Sequence, residues 1–330
     1  MEERGQEVLG QYDFSVNNIR RVRGAQLLDT DKGVLLLAAT TCKGRRLAME
    51  NKIKEHLMGQ GYGLTDLYIK NTAGEYLSTD RYGNGYVVKR WYLGDEVSLK
   101  EPAQIAIAAG NLGKLHRLMK GIFWENNQPL FLSTSNESLI RRLERHTLEL
   151  KRVYTYILNK NQKSDFETLY LSLYNSASKQ AAEALEILKA SDYEKLSVKA
   201  IENGEILHGS YNQHKVIILD NGIATIDFSK AESGLQLLDF YHFLRKTLEK
   251  NEWDVKISGV VSDAYQSEKE ISKEEWKILY GLFLYPEKFW KAANYYNNSR
   301  KSWVSTRTYQ KLENVREQQE KRMGFLESLK

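Results

Sequence analysis

A polar loop followed by a tight hairpin constrains the fold of this chain more than any other segment. The loop reads His208-Gly-Ser-Tyr-Asn-Gln-His-Lys215. Residues 216–219 and 223–226 are apolar runs rich in β-branched side chains, and Asp220-Asn-Gly222 between them is typical of a tight β-turn. The pattern predicts a hairpin with Asp227 directly after its second strand. Taken alone, it is also compatible with an ordinary hairpin that happens to end in an aspartate.

The loop is similar to the catalytic loop of kinases and of phosphotransferases that act on small molecules. There, an H-x-D-x-x-x-x-N loop supplies a carboxylate for the substrate hydroxyl and an amide for magnesium, and a later aspartate also binds the metal. Here Ser210 stands at the carboxylate position and Lys215 at the amide position, whereas Asp227 keeps its type. A hydroxyl without a base is a poor proton acceptor near neutral pH, and an ammonium repels a divalent cation. The sequence therefore predicts a loop that keeps the layout of a catalytic loop but lacks the side chains that phosphoryl transfer requires.

The composition predicts a soluble globular protein made in the cytosol, and the chain length suggests two lobes or two domains. The 330 residues are 42% hydrophobic, and no segment reaches the roughly 20 apolar residues of a membrane span. The charged N-terminus argues against a secretory signal, and the single cysteine, Cys42, excludes an internal disulfide. The net charge of +5 comes from 48 basic and 43 acidic residues that are interspersed, so we expect no nucleic-acid partner.

The chain divides into a strand-rich part, residues 1–92, and a helical part, residues 93–330, which contains the loop and hairpin segment 208–229. In the first part, the patterns predict one helix over 45–59 and strands at 19–22, 33–37, 67–69, 75–78 and 86–91. In the second part, amphipathic patterns predict helices over 104–119, 137–159, 165–189 and from about 308 to the end. Ser272-Lys-Glu-Glu275 is a capping box that begins another helix. The prediction is an α+β fold with a small strand-rich lobe and a large helical lobe.

This order of parts is that of the protein-kinase-like fold, and nearly the whole chain resembles the CotS family of spore coat proteins, which share that fold with aminoglycoside and choline phosphotransferases. The segments that carry the resemblance lie at 21–24 (RVRG), 80–84 (DRYGN), 111–116 (NLGKLH), 208–214 (HGSYNQH) and 284–290 (LYPEKFW). The resemblance implies a protein of the mother-cell cytoplasm that is deposited on the spore coat, with other coat proteins as partners. It leaves the oligomeric state open.

The resemblance also indicates which phosphate-handling residues have changed. The strand at residues 33–38 should carry a lysine that holds the nucleotide phosphates, but Ala38 stands at that position. Lys43, the nearest substitute, lies in the loop beyond the strand. Glu50 matches the usual ion-pair partner of that lysine, although its place in the sequence also suits a solvated helix glutamate.

Because Ala38, Ser210 and Lys215 are altered together, we expect a pseudokinase that uses no cofactor and acts through protein contacts. The 20 tyrosines, some clustered as in Asn294-Tyr-Tyr-Asn-Asn298, suit either such contacts and later cross-linking or ordinary packing. The alternative is a divergent phosphotransferase that uses ATP and magnesium on a small hydroxyl substrate or on a coat protein. Glu50 and Asp227 would then lie at the nucleotide, with Asp227 on the metal.

His208 in the loop and Asp239 after the hairpin are expected to be structural residues and not catalytic ones. His208 should bond backbone near the metal loop, and Asp239 resembles the aspartate that stabilises the catalytic loop in phosphotransferases. A transition-metal site made of His208, His214 and Asp227 is disfavoured, because Lys215 would place a positive charge beside it. We expect instead that Lys215 forms a partly buried ion pair with Asp227 and takes the place of the metal.

Overall fold

The chain folds into a strand-rich N-terminal lobe followed by a larger helical lobe. The computed structural model describes residues 6–22, 24–123, 128, 137–298 and 306–329. The first lobe contains helices α1 (Gln6–Leu9) and α2 (Gly44–Gly59) and strands β1 (Val16–Val22), β2 (Ala25–Thr30), β3 (Gly33–Thr40), β4 (Tyr68–Ile69), β5 (Ser78–Thr79) and β6 (Gly85–Arg90). The strands form an antiparallel sheet in the order β1-β2-β3-β6-β4, with β5 also paired to β6.

The second lobe is built mainly from helices. They are α3 (Pro102–Leu118), α4 (Leu139–Leu158), α5 (Asp165–Lys189), α6 (Tyr193–Glu202), α7 (Leu237–Lys250), α8 (Val255–Gln266), α9 (Lys273–Leu284), α10 (Glu287–Asn298), α11 (Thr306–Glu317) and α12 (Gln319–Glu327). Short strands accompany them: β7 (Asp95–Glu96), β8 (Ile206–Leu207), β9 (Val216–Leu219), β10 (Gly222–Thr225) and β11 (Glu232–Ser233). The predicted α+β, two-lobed fold is confirmed. None of the described helices is long and apolar enough to cross a bilayer.

The hairpin that follows the polar loop forms as predicted. Strands β9 and β10 pair in the register Leu219 to Gly222, which leaves Asp220 and Asn221 as a two-residue turn. Strand β7 pairs with the other edge of β9, so the hairpin belongs to a three-stranded sheet next to the connection between the lobes. Asp227 follows β10 by two residues, at the edge of the helical lobe.

Both capping boxes of the helical lobe use the reciprocal pair of bonds that the sequence motif requires. The Ser272 side chain accepts from the N–H of Glu275, whose carboxylate accepts from the N–H of Ser272. Ser164 and Glu167 form the same pair of bonds at the start of α5. This second capping box was not predicted from the sequence. Each box satisfies backbone donors that would otherwise lack partners at a helix start.

Three local predictions differ from the structure. The strand predicted over 75–78 is reduced to β5 (Ser78–Thr79). Strand β2 was not predicted, because its run Gln26-Leu-Leu-Asp29 has no β-branched residue, yet Leu28 is fully buried between its neighbours. The last helix was predicted as continuous, but it ends and restarts at Gln318. The break lets Phe325 and Leu326 reach the core of the helical lobe. Arg23 of the first family-like segment and the terminal Lys330 lie outside the described residues.

The tyrosine cluster near residue 295 is divided between the core and the surface. Tyr296 is buried, stacks on Phe166 and donates its hydroxyl to Glu167, whereas Tyr295 is 52% exposed. Ordinary packing therefore accounts for Tyr296. Tyr295 lies at the surface, with Nζ of Lys311 5.3 Å from its ring centre.

Candidate interlobe site

Asp239 fixes the backbone of the loop that would hold a catalytic base. It lies in the first turn of α7, and its carboxylate accepts the N–H of His208 at 2.6 Å and the N–H of Gly209 at 3.0 Å. His116 Nε2 lies 3.4 Å from the same carboxylate. Burial alone would raise the pKa of Asp239, but the contact with His116 and the loop N–H groups lowers it, so the carboxylate stays ionised. This is the scaffold arrangement that the resemblance implies.

His208 lies in the interior of the protein. Its side chain is fully buried, and Nε2 lies 3.2 Å from the carbonyl oxygen of Ile226, at the end of the hairpin. The ring packs against Phe228, with the ring centres 4.6 Å apart. Burial lowers the pKa of His208, so a neutral ring that donates from Nε2 is favoured. Ser210 Oγ is 3.5 Å from Nδ1, which is too long for a strong hydrogen bond.

The ammonium of Lys215 is hydrogen-bonded to Oδ2 of Asp227. The two side chains are 25% and 30% exposed, so the predicted, partly buried ion pair is present. Asp227 adopts a φ of +64°, a left-handed conformation that non-glycine residues seldom take. Burial alone would raise its pKa, but hydrogen bonds from Lys215 and Ser229 and the charge of Lys89 hold it well below the usual range of a carboxyl. Asp227 is therefore an ionised carboxylate with a cation from its own chain.

A buried aspartate that sequence reasoning missed, Asp66, connects this pair to the N-terminal lobe. Its side chain is fully buried, with Lys54 Nζ 3.0 Å from Oδ1 and Lys89 Nζ 2.7 Å from Oδ2. Oδ2 also accepts the backbone N–H of Asp227 at 3.0 Å. Burial would raise the pKa of Asp66, but the two ammonium groups lower it. The Asp66 carboxylate thus connects helix α2, strand β6 and the backbone at Asp227.

Glu50 is 1% exposed, so the alternative of a solvated helix glutamate is wrong. Its Oε1 lies 2.8 Å from Nζ of Lys54, and its Oε2 accepts from the hydroxyl of Tyr68 at 2.9 Å. The cation that pairs with Glu50 therefore comes from one turn further along the same helix, and not from strand β3. The separation of four residues on a helix brings two such side chains together.

The β3 position that should hold a phosphate-binding lysine carries no charge. Ala38 pairs in register with Val87 and packs against a small apolar cluster that includes Leu47. Lys43 is exposed at the start of α2 and does not fill the gap. Lys89, opposite Leu36 on β6, is on the same face of the sheet as Ala38, because residues two apart on a strand share a face.

Together these side chains form an interlobe ion network of three lysines and three carboxylates: Lys54, Lys89, Lys215, Glu50, Asp66 and Asp227. The charges balance without a metal ion. A magnesium ion prefers oxygen ligands in octahedral geometry, whereas the ammonium of Lys215 has no lone pair to offer. The described residues therefore do not fit magnesium while Lys215 lies on Asp227.

His214 does not join a metal site with His208 and Asp227. It is exposed and its Nδ1 contacts the carboxylate of Glu96 on β7, whereas His208 is in the interior. Within the described parts of the chain, no three His, Cys, Asp or Glu side chains are grouped so as to hold a metal ion.

Further contacts hold the two lobes against each other around the network. Arg46 at the start of α2 donates from Nη2 to the carbonyl oxygens of Ser229 and Ala231, each at 2.8 Å. Tyr62 donates to Asn111 Oδ1 at 2.9 Å, and its hydroxyl lies 2.8 Å from Thr225 Oγ1. These bonds join residues far apart in sequence, so the site is assembled by tertiary contacts and not by one motif.

Comparison with known proteins gives a family and a fold. A family model described as "Spore coat putative kinase YutH" matches residues 5–329. Among solved structures, the chain is similar to an aminoglycoside phosphotransferase from Alicyclobacillus acidocaldarius subsp. acidocaldarius DSM 446, with a TM-score of 0.86 and 19% identity over 98% of this chain and 94% of that one. No curated protein sequence matches the chain.

Two other solved structures extend the likeness of fold. A spectinomycin phosphotransferase, APH(9)-Ia, in complex with ADP and spectinomycin has a TM-score of 0.68 and 10% identity, over 98% of both chains. A microcompartment-associated aminopropanol kinase has a TM-score of 0.63 and 12% identity, over 100% of this chain and 98% of that one. At these identities the likeness shows a shared architecture.

Proposed function

Because the chain belongs to the YutH family of putative spore coat kinases, we propose that it is a non-catalytic member of the kinase-like fold that acts in coat assembly through protein contacts. Membership of that family confirms the resemblance to spore coat proteins predicted from segments such as 208–214. One observation carries the absence of catalysis: the ammonium of Lys215 is bonded to the carboxylate of Asp227, where phosphotransferases of this fold need a metal.

The charge balance of the interlobe ion network supports the proposal. Phosphoryl transfer depends on cations that neutralise the phosphates and on a metal that bridges them. In this chain, Lys54 has no exposed surface and is committed to Glu50 and Asp66, and Lys89 is committed to Asp66. A nucleotide would have to displace these partners before it found a free positive charge in the network.

The missing base supports the same conclusion. A substrate hydroxyl needs a proton acceptor within hydrogen-bond reach, and Ser210 stands where that carboxylate would be. Its hydroxyl lies 3.5 Å from Nδ1 of His208, a buried ring whose Nε2 is directed at the carbonyl oxygen of Ile226. The loop keeps its shape through Asp239 but offers no side chain for the proton.

A divergent phosphotransferase remains the second candidate, and one observation favours it. Lys89 is 13% exposed and lies on the sheet face that Ala38 shares, so a shift away from Asp66 would bring an ammonium toward the cleft. Such an enzyme would also need Lys215 to leave Asp227, so that ATP and magnesium could enter. It would act on a small hydroxyl substrate or on a coat protein.

The two candidates differ in nucleotide turnover. Purified protein should be incubated with ATP and magnesium, with and without spore coat extract, and ADP should be measured against the Asp227→Asn variant. The proposal predicts equal, background rates for both proteins. ADP formation that requires both magnesium and Asp227 would establish the divergent enzyme instead.

Our proposal places the protein in the mother-cell cytoplasm first and in the spore coat later, with other coat proteins as partners. The surface offers groups suited to contacts, such as Tyr295 and Tyr82, which are 52% and 66% exposed. Aromatic side chains are enriched at protein interfaces. Cross-linking in intact spores followed by identification of the attached proteins tests this part; attachment to no coat protein would contradict it.

A further inference from the structure

A cavity of about 360 Å³ lies within the helical lobe, away from the interlobe ion network. Its walls come from α5, α7, α9, α10, α11 and α12 and from the links that join them. None of the described residues that line it belongs to the strand-rich lobe or to segment 208–229. Its volume is in the range of pockets that hold small organic molecules.

The walls offer a large apolar surface. Leu173, Trp253, Phe283, Phe289 and Val315 contribute it. Aromatic and aliphatic walls of this kind favour a ligand with an aromatic or aliphatic body, because burying apolar area gains roughly 25 cal/mol per Å².

The charged groups of the cavity are predominantly basic. Five basic side chains line it, against two carboxylates: Arg245, Lys288, Lys291, Lys311 and Arg322, with Glu249 and Glu287. Both carboxylates are already engaged. Arg245 and Lys291 contact Glu287, and Arg245 and Lys288 contact Glu249.

Arg322 and Lys311 are left without a carboxylate partner among the residues that the structure describes. Arg322 is partly buried and donates from Nη2 to the carbonyl oxygens of Phe283 and Leu284, each at 2.7 Å, and from Nη1 to Gln180. The Lys311 ammonium lies 5.3 Å from the ring centre of Tyr295. Burial lowers the pKa of Arg322 to about 10, although the nearby charge of Glu249 acts in the opposite direction.

We propose that this cavity binds a small organic anion, in which an aromatic or aliphatic body occupies the apolar walls and a carboxylate, sulfonate or phosphate lies near Arg322 and Lys311. The apolar groups of the walls supply affinity through burial, and the two cations that lack a carboxylate partner among the described residues select for negative charge. The site is independent of nucleotide binding, because its lining lies outside the interlobe ion network.

A pair of fluorescent probes that differ only in charge tests the proposal. 8-Anilinonaphthalene-1-sulfonate carries a sulfonate, and N-phenyl-1-naphthylamine is the same aromatic body without it. We expect the sulfonate to bind the native full-length chain at one site, at least ten-fold more tightly than the neutral probe. Equal affinities would overturn the assignment to anions, since they would show an apolar cleft only.

Two neighbouring serines of α5 provide a matched pair of variants. Ser176 lines the cavity and is exposed at its rim, whereas Ser172, one turn earlier, is exposed and does not line it. Ser176→Trp should fill the cavity and weaken binding of the sulfonate at least ten-fold, and Ser172→Trp should leave it unchanged. If both variants bind like the native chain, the probe occupies another surface and the proposal is wrong.

Arg322→Met tests the charge directly, with selectivity as the readout. We expect the ten-fold preference for the sulfonate to fall while the neutral probe binds as before. Because Arg322 also holds the end of α9, the variant must first show native circular dichroism. If it does not fold, the serine pair and the two probes decide the matter without it.

Discussion

The ammonium of Lys54 lies 3.0 Å from Oδ1 of Asp66 and 2.8 Å from Oε1 of Glu50, and all three side chains are at most 1% exposed. A cation buried at this depth has no water to replace a lost partner, and neither have its carboxylates. These three side chains are therefore a structural part of the fold, on the N-terminal side of the interlobe ion network.

Replacing Lys54 with methionine should destabilise the protein by about 3–5 kcal/mol, because it leaves two buried carboxylates with fewer counter-charges. Urea unfolding followed by fluorescence measures the change. Lys70→Met is the matched control, since Lys70 is exposed beyond β4 and its loss should cost no more than about 0.5 kcal/mol. Equal costs for the two variants would show that the buried contacts contribute little.

The contact between Lys215 and Asp227 should contribute an intermediate amount. Both side chains are about a quarter to a third exposed, so we expect Lys215→Ala to cost about 1–3 kcal/mol, between the values for exposed and for buried pairs. Lys215→Asn should cost less than Lys215→Ala when magnesium is supplied, because an amide and Asp227 can share the ion. A double-mutant cycle with Asp227→Asn isolates the pair, and no coupling would contradict its structural role.

The stability of the protein should fall in acid partly through Asp227. Its pKa in the folded protein is lowered by Lys215 and Ser229 despite burial, so its contribution is present above the unfolded pKa of about 3.9 and is lost as the pH falls through the folded pKa. Unfolding measured from pH 6 to pH 2 should show a steeper loss for the native chain than for Asp227→Asn. Asp220→Asn, at the exposed hairpin turn, should keep the native slope. If Asp227→Asn also keeps that slope, the ionised carboxylate does not support the fold.

The frame of the site could be predicted from the sequence, whereas the ion network could not. The two-residue turn at Asp220 and the position of Asp227 follow from local rules of hairpins. The contact with Lys215 follows from the resemblance to phosphotransferases, in which the corresponding amide and aspartate bind the same metal ion. Asp66 and Lys89 are far from this segment in the sequence and have no motif. Only the tertiary packing of the two lobes brings them to Asp227.

The burial of Glu50 is a second feature that depends on tertiary packing and could not be predicted from local sequence. The charge pattern of α2 did not decide between a solvated and a buried glutamate, because charged residues lie on several faces of the helix. Lys54, four residues later, was the available signal, since that spacing places it beside Glu50. The depth at which both side chains lie depends on how α2 packs between the sheet and the helical lobe.

The proposed place of the protein in the cell makes a separate prediction. The protein should accumulate during sporulation and be extractable from purified spores, and it should be missing from vegetative cells of the same strain. Immunoblots of both fractions, with a cytosolic enzyme as the loading control, measure this. Finding the protein mainly in growing cells would remove the coat assignment and leave the fold unaffected.

A thermal melt of the purified chain with millimolar ATP and magnesium tests the central claim most directly. A ligand at 100 times its dissociation constant stabilises a protein by about 2.7 kcal/mol, and each kcal/mol raises the melting temperature by about 2–4 °C for a chain of this class. Because Lys215 occupies the metal position and Lys54 and Lys89 are committed to carboxylates, we predict no shift, with or without magnesium. A reproducible rise of several degrees that requires magnesium and is lost in Asp227→Asn would contradict the account.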